Sequence, residues 1–215
     1  MKEELLNDEY KVGRLLGRGA QGEVFEAFSK TTKDRVALKI FHRDHNGPEL
    51  QEKLKKLKGN YIGSCSTLLD FFQHEGRAVA VLEFIDGRPL GEFLESNEWS
   101  LKKREDLAEA LIAAVAGLHA EELSHGDLSP SNVFISDSGK VKLIDPRLSS
   151  AGGPGSIFGT PNYAAPEQLL FGSAATKTSD VFSLCALLYT VFEGRDPFGC
   201  QSPEEYMLKC GAKGL

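Results

Sequence analysis

The stretch His125-Gly126-Asp127-Leu128-Ser129-Pro130-Ser131-Asn132 decides how this chain is read. It puts a carboxylate and an amide five residues apart in a turn-forming segment that follows a long apolar helix pattern. A short hairpin follows, 133–135 and 140–144 around a Ser-Asp-Ser-Gly turn, and it delivers a second carboxylate, Asp145. Two carboxylates and an amide at strand or loop ends suit deprotonation of a hydroxyl and coordination of Mg²⁺, which takes few protein oxygens. Asp and Asn are also ordinary turn residues, so the segment has to be weighed with the rest of the chain.

Upstream, Gly17-Arg18-Gly19-Ala20-Gln21-Gly22-Glu23-Val24 is a glycine-rich loop whose backbone can approach phosphate oxygens closely. A dinucleotide fingerprint needs a helix after the loop. Here residues 23–29 alternate like a strand, so a flap between two antiparallel strands fits better. The next strand, 35–41, carries Val36-Ala37-Leu38-Lys39. A lysine on an apolar strand either snorkels to solvent or meets a buried anion. One strand after the glycine loop, it stands where it can grip α- and β-phosphates. Strands at 10–17, 23–29, 35–41, 67–72 and 77–84, with one helix opened by Gly47-Pro48, predict a small sheet-dominated first lobe. After Gly87 helical spacing takes over in 101–123 and 178–192, with a short helix near 203–209.

These motifs resemble the eukaryotic-type (Hanks-type) Ser/Thr protein kinase family. The glycine loop through Val24, Val36-Ala37-Leu38-Lys39 and HGDLSPSN match its phosphate loop, strand-lysine motif and catalytic loop. Asp145-Pro146-Arg147 stands at its Asp-Phe-Gly position. Residues 159–167, GTPNYAAPE, resemble the end of a Ser/Thr kinase activation segment, and Ser179-Asp180-Val181-Phe182-Ser183-Leu184 the helix that braces the catalytic loop. HGDLSP and the compact upper lobe are closer to bacterial or phage members than to animal ones. The resemblance implies an α+β fold in two lobes, an antiparallel N-lobe sheet with one helix and a mainly helical C-lobe. It gives residues 1–9 as an extension, an N-lobe at 10–84, a hinge at 83–87 and a C-lobe at 88–215 that stops after one short helix.

The same resemblance assigns roles. Asp127 would accept or orient the proton of the substrate hydroxyl, and Asn132 and Asp145 would hold Mg²⁺. Lys39 would position the phosphates of ATP under Leu16, Gly17, Gly19 and Gly22. Val24 and Ala37 from one side and Phe134 from the other would sandwich adenine. Leu82 would gate the rear, and the backbones of Glu83 and Ile85 would bind the base. The substrate would be a Ser or Thr hydroxyl of a protein, because GTPNYAAPE differs from what tyrosine kinases usually carry.

Four departures qualify this picture. Gly126 replaces the arginine that receives a phosphorylated activation loop, so turnover is expected not to need phosphorylation at Ser149, Ser150, Ser156 or Thr160. Ser129 replaces a lysine beside the γ-phosphate. Asp145-Pro146-Arg147 stiffens its turn, and Arg147 is a candidate to supply the missing cation. The helix glutamate for Lys39 is not obvious: Glu49 lies beside the apolar face and Glu52 nearly opposite it. Glu167 also needs a partner, for which Arg195, a second copy or another protein is available. A pseudokinase scaffold ranks second, since it does not explain the survival of Lys39, Asp127, Asn132 and Asp145 together. An aminoglycoside-type small-molecule phosphotransferase ranks third, since those enzymes lack the GTPNYAAPE segment.

Composition agrees. The 215 residues hold 25 Lys+Arg against 31 Asp+Glu, a net charge of −6 that argues against nucleic-acid and anionic-membrane binding. The longest apolar run, 184–192, is about half the roughly 20 residues a membrane span needs. The acidic N-terminus lacks a signal-peptide core. Cys65, Cys185, Cys200 and Cys210 form no metal-ligand spacing. A cytoplasmic location is expected.

Overall fold

The computed structural model describes residues 5–19, 21–59, 63–95, 100–136, 139–146, 160–171 and 173–212. The fold class is α+β, and the chain divides into two compact units, Met1–Tyr61 with Ser66–Ile85, and Ile62–Cys65 with Asp86–Leu215.

Among the described residues, the first unit is a six-stranded antiparallel sheet with one α-helix and a 3-10 turn at Arg43–His45. Its strands are β1 (Leu5–Leu6), β2 (Tyr10–Gly19), β3 (Gly22–Ser29), β4 (Arg35–Phe41), β5 (Leu68–His74) and β6 (Arg77–Glu83), in the spatial order β1-β2-β3-β4-β6-β5. The period-2 alternation of β4 explains its two faces. Val36, Leu38 and Ile40 enter a core with Leu6, Ala27, Val79 and Val81, which leaves Ala37, Lys39 and Phe41 on the other face. The first strand is an addition to the sequence reading, which left residues 1–9 outside the sheet. A two-residue strand is too short to show a period, yet Leu6 is buried. Glu9 then clasps the β3–β4 turn, accepting from Ser29 Oγ (2.6 Å), Thr31 Oγ1 (2.7 Å) and Thr31 N (3.0 Å). Those bonds hold its carboxyl down at about 2.

Helix α1 (Pro48–Leu57) begins with Gly47 as N-cap and Pro48 in its first turn, where a missing N–H costs nothing. Leu50 and Leu54 are its buried face. Its lysines and the one that follows it are a solvated surface: Lys53 pairs with Glu49 (3.1 Å), Lys55 with Glu52 (3.0 Å) and Lys58, just past the helix, with Asp70 (2.5 Å).

The second unit is mainly helical. It contains β7 (Arg88–Pro89), α2 (Leu90–Glu95), α3 (Leu101–Ala120), β8 (Val133–Ile135), β9 (Val141–Leu143), α4 (Pro166–Phe171), α5 (Lys177–Glu193) and α6 (Pro203–Ala212). Leu107, Leu111, Ala114, Val115 and Leu118 of α3 pack with Leu184, Leu187 and Val191 of α5 and with Val133, Ile135 and Leu143 of the hairpin. Each such side chain, fully buried, contributes about 1.5–3 kcal/mol. Arg104 reaches across to the carbonyls that end α5, Val191 and Phe192, where a cation also meets the negative end of the helix dipole.

Helix α5 starts one residue earlier than its apolar pattern indicates, because Thr176 caps it. Thr176 Oγ1 accepts the Ser179 N–H at 3.0 Å and Ser179 Oγ accepts the Thr176 N–H at 2.9 Å, a reciprocal capping box. Gly87 lies so close to β8 that a Cβ there would stand 2.6 Å from the Ile135 carbonyl oxygen. Among the described residues no helix is long and apolar enough to cross a membrane.

Candidate active site

In the second unit, the hairpin register builds the acidic cluster. Val133 pairs with Leu143, and the Ile144 N–H donates to the Asn132 carbonyl at 2.9 Å. Asn132, just before β8, and Asp145, just after β9, therefore stand at the same end of one hairpin. Asn132 Nδ2 donates to the Asp127 carbonyl (2.8 Å) and to Asp127 Oδ2 (3.2 Å). Thr160 Oγ1 donates to the other carboxylate oxygen, Asp127 Oδ1, at 2.9 Å. The Asp127 carboxylate is thus held from both sides.

Asp145 adopts φ +57. Backbone in this region is uncommon for a residue with a side chain, and Asp is among the types that tolerate it. With Nδ2 committed to Asp127, the Asn132 amide oxygen is the group left for a ligand. An amide oxygen and a carboxylate are hard donors that suit Mg²⁺ with phosphate and water completing its shell, so the residues fit that ion. Among the described residues no group of three or more His, Cys, Asp or Glu could hold a metal without such help.

His125 ties the loop to the hairpin. Its Nε2–H donates to the Ile144 carbonyl (3.0 Å) and its Nδ1 accepts the Asp127 N–H (3.3 Å), a pattern only the neutral ring can make. Complete burial pushes its pKa down, against the pull of Asp180, Asp127 and Asp145. Beneath it, the buried carboxylate of Asp180 accepts from His125 N (2.6 Å), Gly126 N (2.8 Å) and His119 Nε2 (3.0 Å).

Gln168 and Thr160 carry roles that the sequence reading did not assign. Gln168, buried, donates from Nε2 to the Gly126 carbonyl (3.0 Å) and accepts the Ala165 N–H (3.2 Å), joining the 160–168 segment to the catalytic loop. Its only signal in the sequence is its place after Ala-Pro-Glu. Thr160, which the sequence raises only as a phosphorylation position, uses its hydroxyl on Asp127. Arg195, the candidate partner of Glu167, lies over the Tyr189 ring at 5.4 Å. Ser129, fully buried, shares a hydrogen bond with Ser131 Oγ at 2.9 Å. Ser149, Ser150, Ser156 and Arg147 lie outside the described residues.

In the first unit, cross-strand pairing gathers the other predicted residues. Gly17 pairs with Val24, Val24 with Lys39, and Ala37 with Leu82. Directly opposed residues share a face, so Gly17, Val24, Ala37, Lys39 and Leu82 line one side of the sheet. Gly19 and Gly22 close the loop as a pair, and a Cβ on Gly22 would run into the Ile40 carbonyl. Leu16 falls at a register shift in β2 and is 41% exposed. Lys39 is buried and its Nζ donates to Gln21 Oε1 at 3.0 Å. Glu83 Oε2 accepts from Thr67 N and Oγ1 (3.2 Å each), and the Glu83 N–H goes to the Thr67 carbonyl. Ile85 is half-buried, as is Phe134 of the second unit, which points away from the core that Val133 and Ile135 enter.

The protein kinase domain model matches residues 10–212. The chain belongs to the protein kinase domain family. Similar proteins include the serine/threonine-protein kinase pkn2 of Myxococcus xanthus, 30% identical over 94% of this chain and 26% of that protein. PknA of Mycobacterium tuberculosis is 33% identical over 90% of this chain and 48% of its own length. PrkC of Bacillus subtilis is 25% identical over 95% and 33%. This kinase domain thus spans between about a quarter and a half of the length of those relatives.

Proposed function

We propose that the chain is the catalytic domain of a protein kinase that transfers the γ-phosphoryl group of Mg-ATP to Ser or Thr hydroxyls of proteins. The observation that carries this reading is the two-sided hold on Asp127. Asn132 on Oδ2 and Thr160 on Oδ1 fix the carboxylate, so it can orient a hydroxyl and receive its proton as the oxygen attacks phosphorus.

Lys39 would neutralise α- and β-phosphate oxygens, and the Gly17–Gly22 turn would bring backbone N–H groups to them. Val24 and Ala37, on the same face of the sheet as Lys39, would supply apolar surface for adenine. With the Glu83 N–H spent on Thr67, contact to the base at that residue falls to its carbonyl. Asn132 and Asp145 would hold Mg²⁺, which would supply charge neutralisation at the phosphates. Gln168 keeps the segment that would present the peptide against the loop that carries Asp127. Gly126 in place of arginine supports turnover that does not wait for activation-loop phosphorylation. The free thiols of Cys65, Cys185, Cys200 and Cys210 support a cytoplasmic setting.

The test is the purified chain with Mg²⁺ and γ-labelled ATP on a mixed protein substrate, beside Asp127→Asn. Phosphoserine or phosphothreonine that falls by about 10²–10⁴-fold in the variant supports the reading. ATP binding without transfer would make it a scaffold, and transfer only to small alcohols or aminoglycosides a small-molecule kinase.

A further inference from the structure

We propose that Gln21 is a competitor for Lys39: its amide oxygen and a nucleotide phosphate bind the same ammonium, so Gln21 sets nucleotide affinity. The inference rests on reading Lys39 as the lysine that grips phosphates.

Three observations in the first unit carry it. Lys39 is 2% exposed, and a buried ammonium needs acceptors. Its Nζ leans along β4 toward the Phe41 ring, 5.0 Å from the centroid, and donates to Gln21 Oε1 at 3.0 Å. Gln21 is anchored there by its own backbone. Its carbonyl accepts the His42 N–H at 2.9 Å, and the next residue, Gly22, pairs with Phe41 at a spacing that admits no Cβ. The flap residue is therefore fastened to the end of the strand that carries the lysine, with its side chain aimed back at the ammonium.

The chemistry gives the direction. An amide oxygen is a neutral acceptor, and a phosphate oxygen makes the stronger charge-assisted bond. Phosphate wins the exchange, but nucleotide binding is weakened by the amide bond that has to be given up. A carboxylate at residue 21 would match the phosphate in charge and compete harder. Removing this acceptor would leave the ammonium with one bond fewer to give up when nucleotide arrives, and binding would tighten.

Calorimetric titration of the purified chain with ATP, ADP and adenosine in Mg²⁺ tests this. Gln21→Ala should bind ATP and ADP about threefold tighter, the size of one modest hydrogen bond. Gln21→Glu, nearly the same shape, should bind them about tenfold weaker, as a charge-assisted competitor would. Adenosine affinity should not change in either variant, and in a Lys39→Ala background neither substitution should matter. Opposite signs are the signature, since damage to the fold would weaken ATP and adenosine alike in both. Weaker ATP binding by Gln21→Ala, or no change in either variant, overturns the proposal. If Lys39→Ala itself binds ATP as the natural chain does, the reading of Lys39 falls first and takes the proposal with it.

Discussion

Asp180 and Gly126 are locked together: a carboxylate oxygen of Asp180, 1% exposed, accepts the Gly126 N–H at 2.8 Å, and Gly126 takes φ +81. The left-handed backbone at Gly126 lets consecutive N–H groups, those of His125 and Gly126, converge on one carboxylate. The position before the proposed catalytic aspartate is shaped by a helix 54 residues away in sequence.

Asp180→Asn should therefore destabilise the second unit by about 2–4 kcal/mol, because one buried acceptor becomes a donor facing N–H groups. Urea denaturation should show a lower midpoint with an unchanged slope. A loss under about 0.5 kcal/mol, the size of a neutral surface change, would contradict the buried three-donor arrangement.

Gly126→Ala should cost about 1–2 kcal/mol, since a side chain disfavours the left-handed region. Thermal unfolding measures it. Gly126→Asn should cost less than alanine, because asparagine tolerates that conformation.

His125 makes stability depend on pH. Burial holds its folded pKa below the ordinary value, so as pH falls below about 6.5 the unfolded chain takes up a proton that the folded chain refuses. This contribution to stability is therefore complete above about pH 6.5 and declines below it, until the folded value is passed. Denaturant titrations at pH 5 and pH 7.5 should show the fall, and His125→Gln should lessen the difference between them.

Thr160→Ala should lower kcat by about 10-fold to 100-fold with little change in the KM for ATP, because the Asp127 carboxylate loses one of the two bonds that orient it. Thr160→Ser should keep most of the turnover. The triple variant Ser149→Ala, Ser150→Ala, Ser156→Ala should stay near normal, as Gly126 offers no cation to a phosphorylated loop. Steady-state assays decide both, and a large loss in the triple variant would show that phosphorylation is needed after all.

Much of the fold was legible because its signals are local. The strand 35–41 came out with its observed bounds, since the alternation of Val36, Leu38 and Ile40 needs nothing beyond the strand itself. The strand 133–135 likewise has its observed bounds, and the helical spacing of 101–123 falls on α3, Leu101–Ala120. Strands β1 and β7 were missed because two residues carry no period, and only pairing partners define them. Helix α5 starts at Lys177, one residue before the apolar pattern of 178–192, where its Thr176 cap places it.

The sequence by itself determined which chemical groups this protein has: Lys39 one strand after a glycine loop, Asp127 and Asn132 in one turn, and Asp145 at the end of a hairpin. Residue type and short spacing are enough for that, because turns and strand periods are decided within a few residues. Only the tertiary structure decided how those groups are held. Thr160 on Asp127, Gln168 on Gly126, Asp180 under His125 and Gln21 on Lys39 join residues 18 to 55 positions apart. Such bonds depend on packing and on the need of buried polar groups for partners, and no local pattern in the chain encodes them.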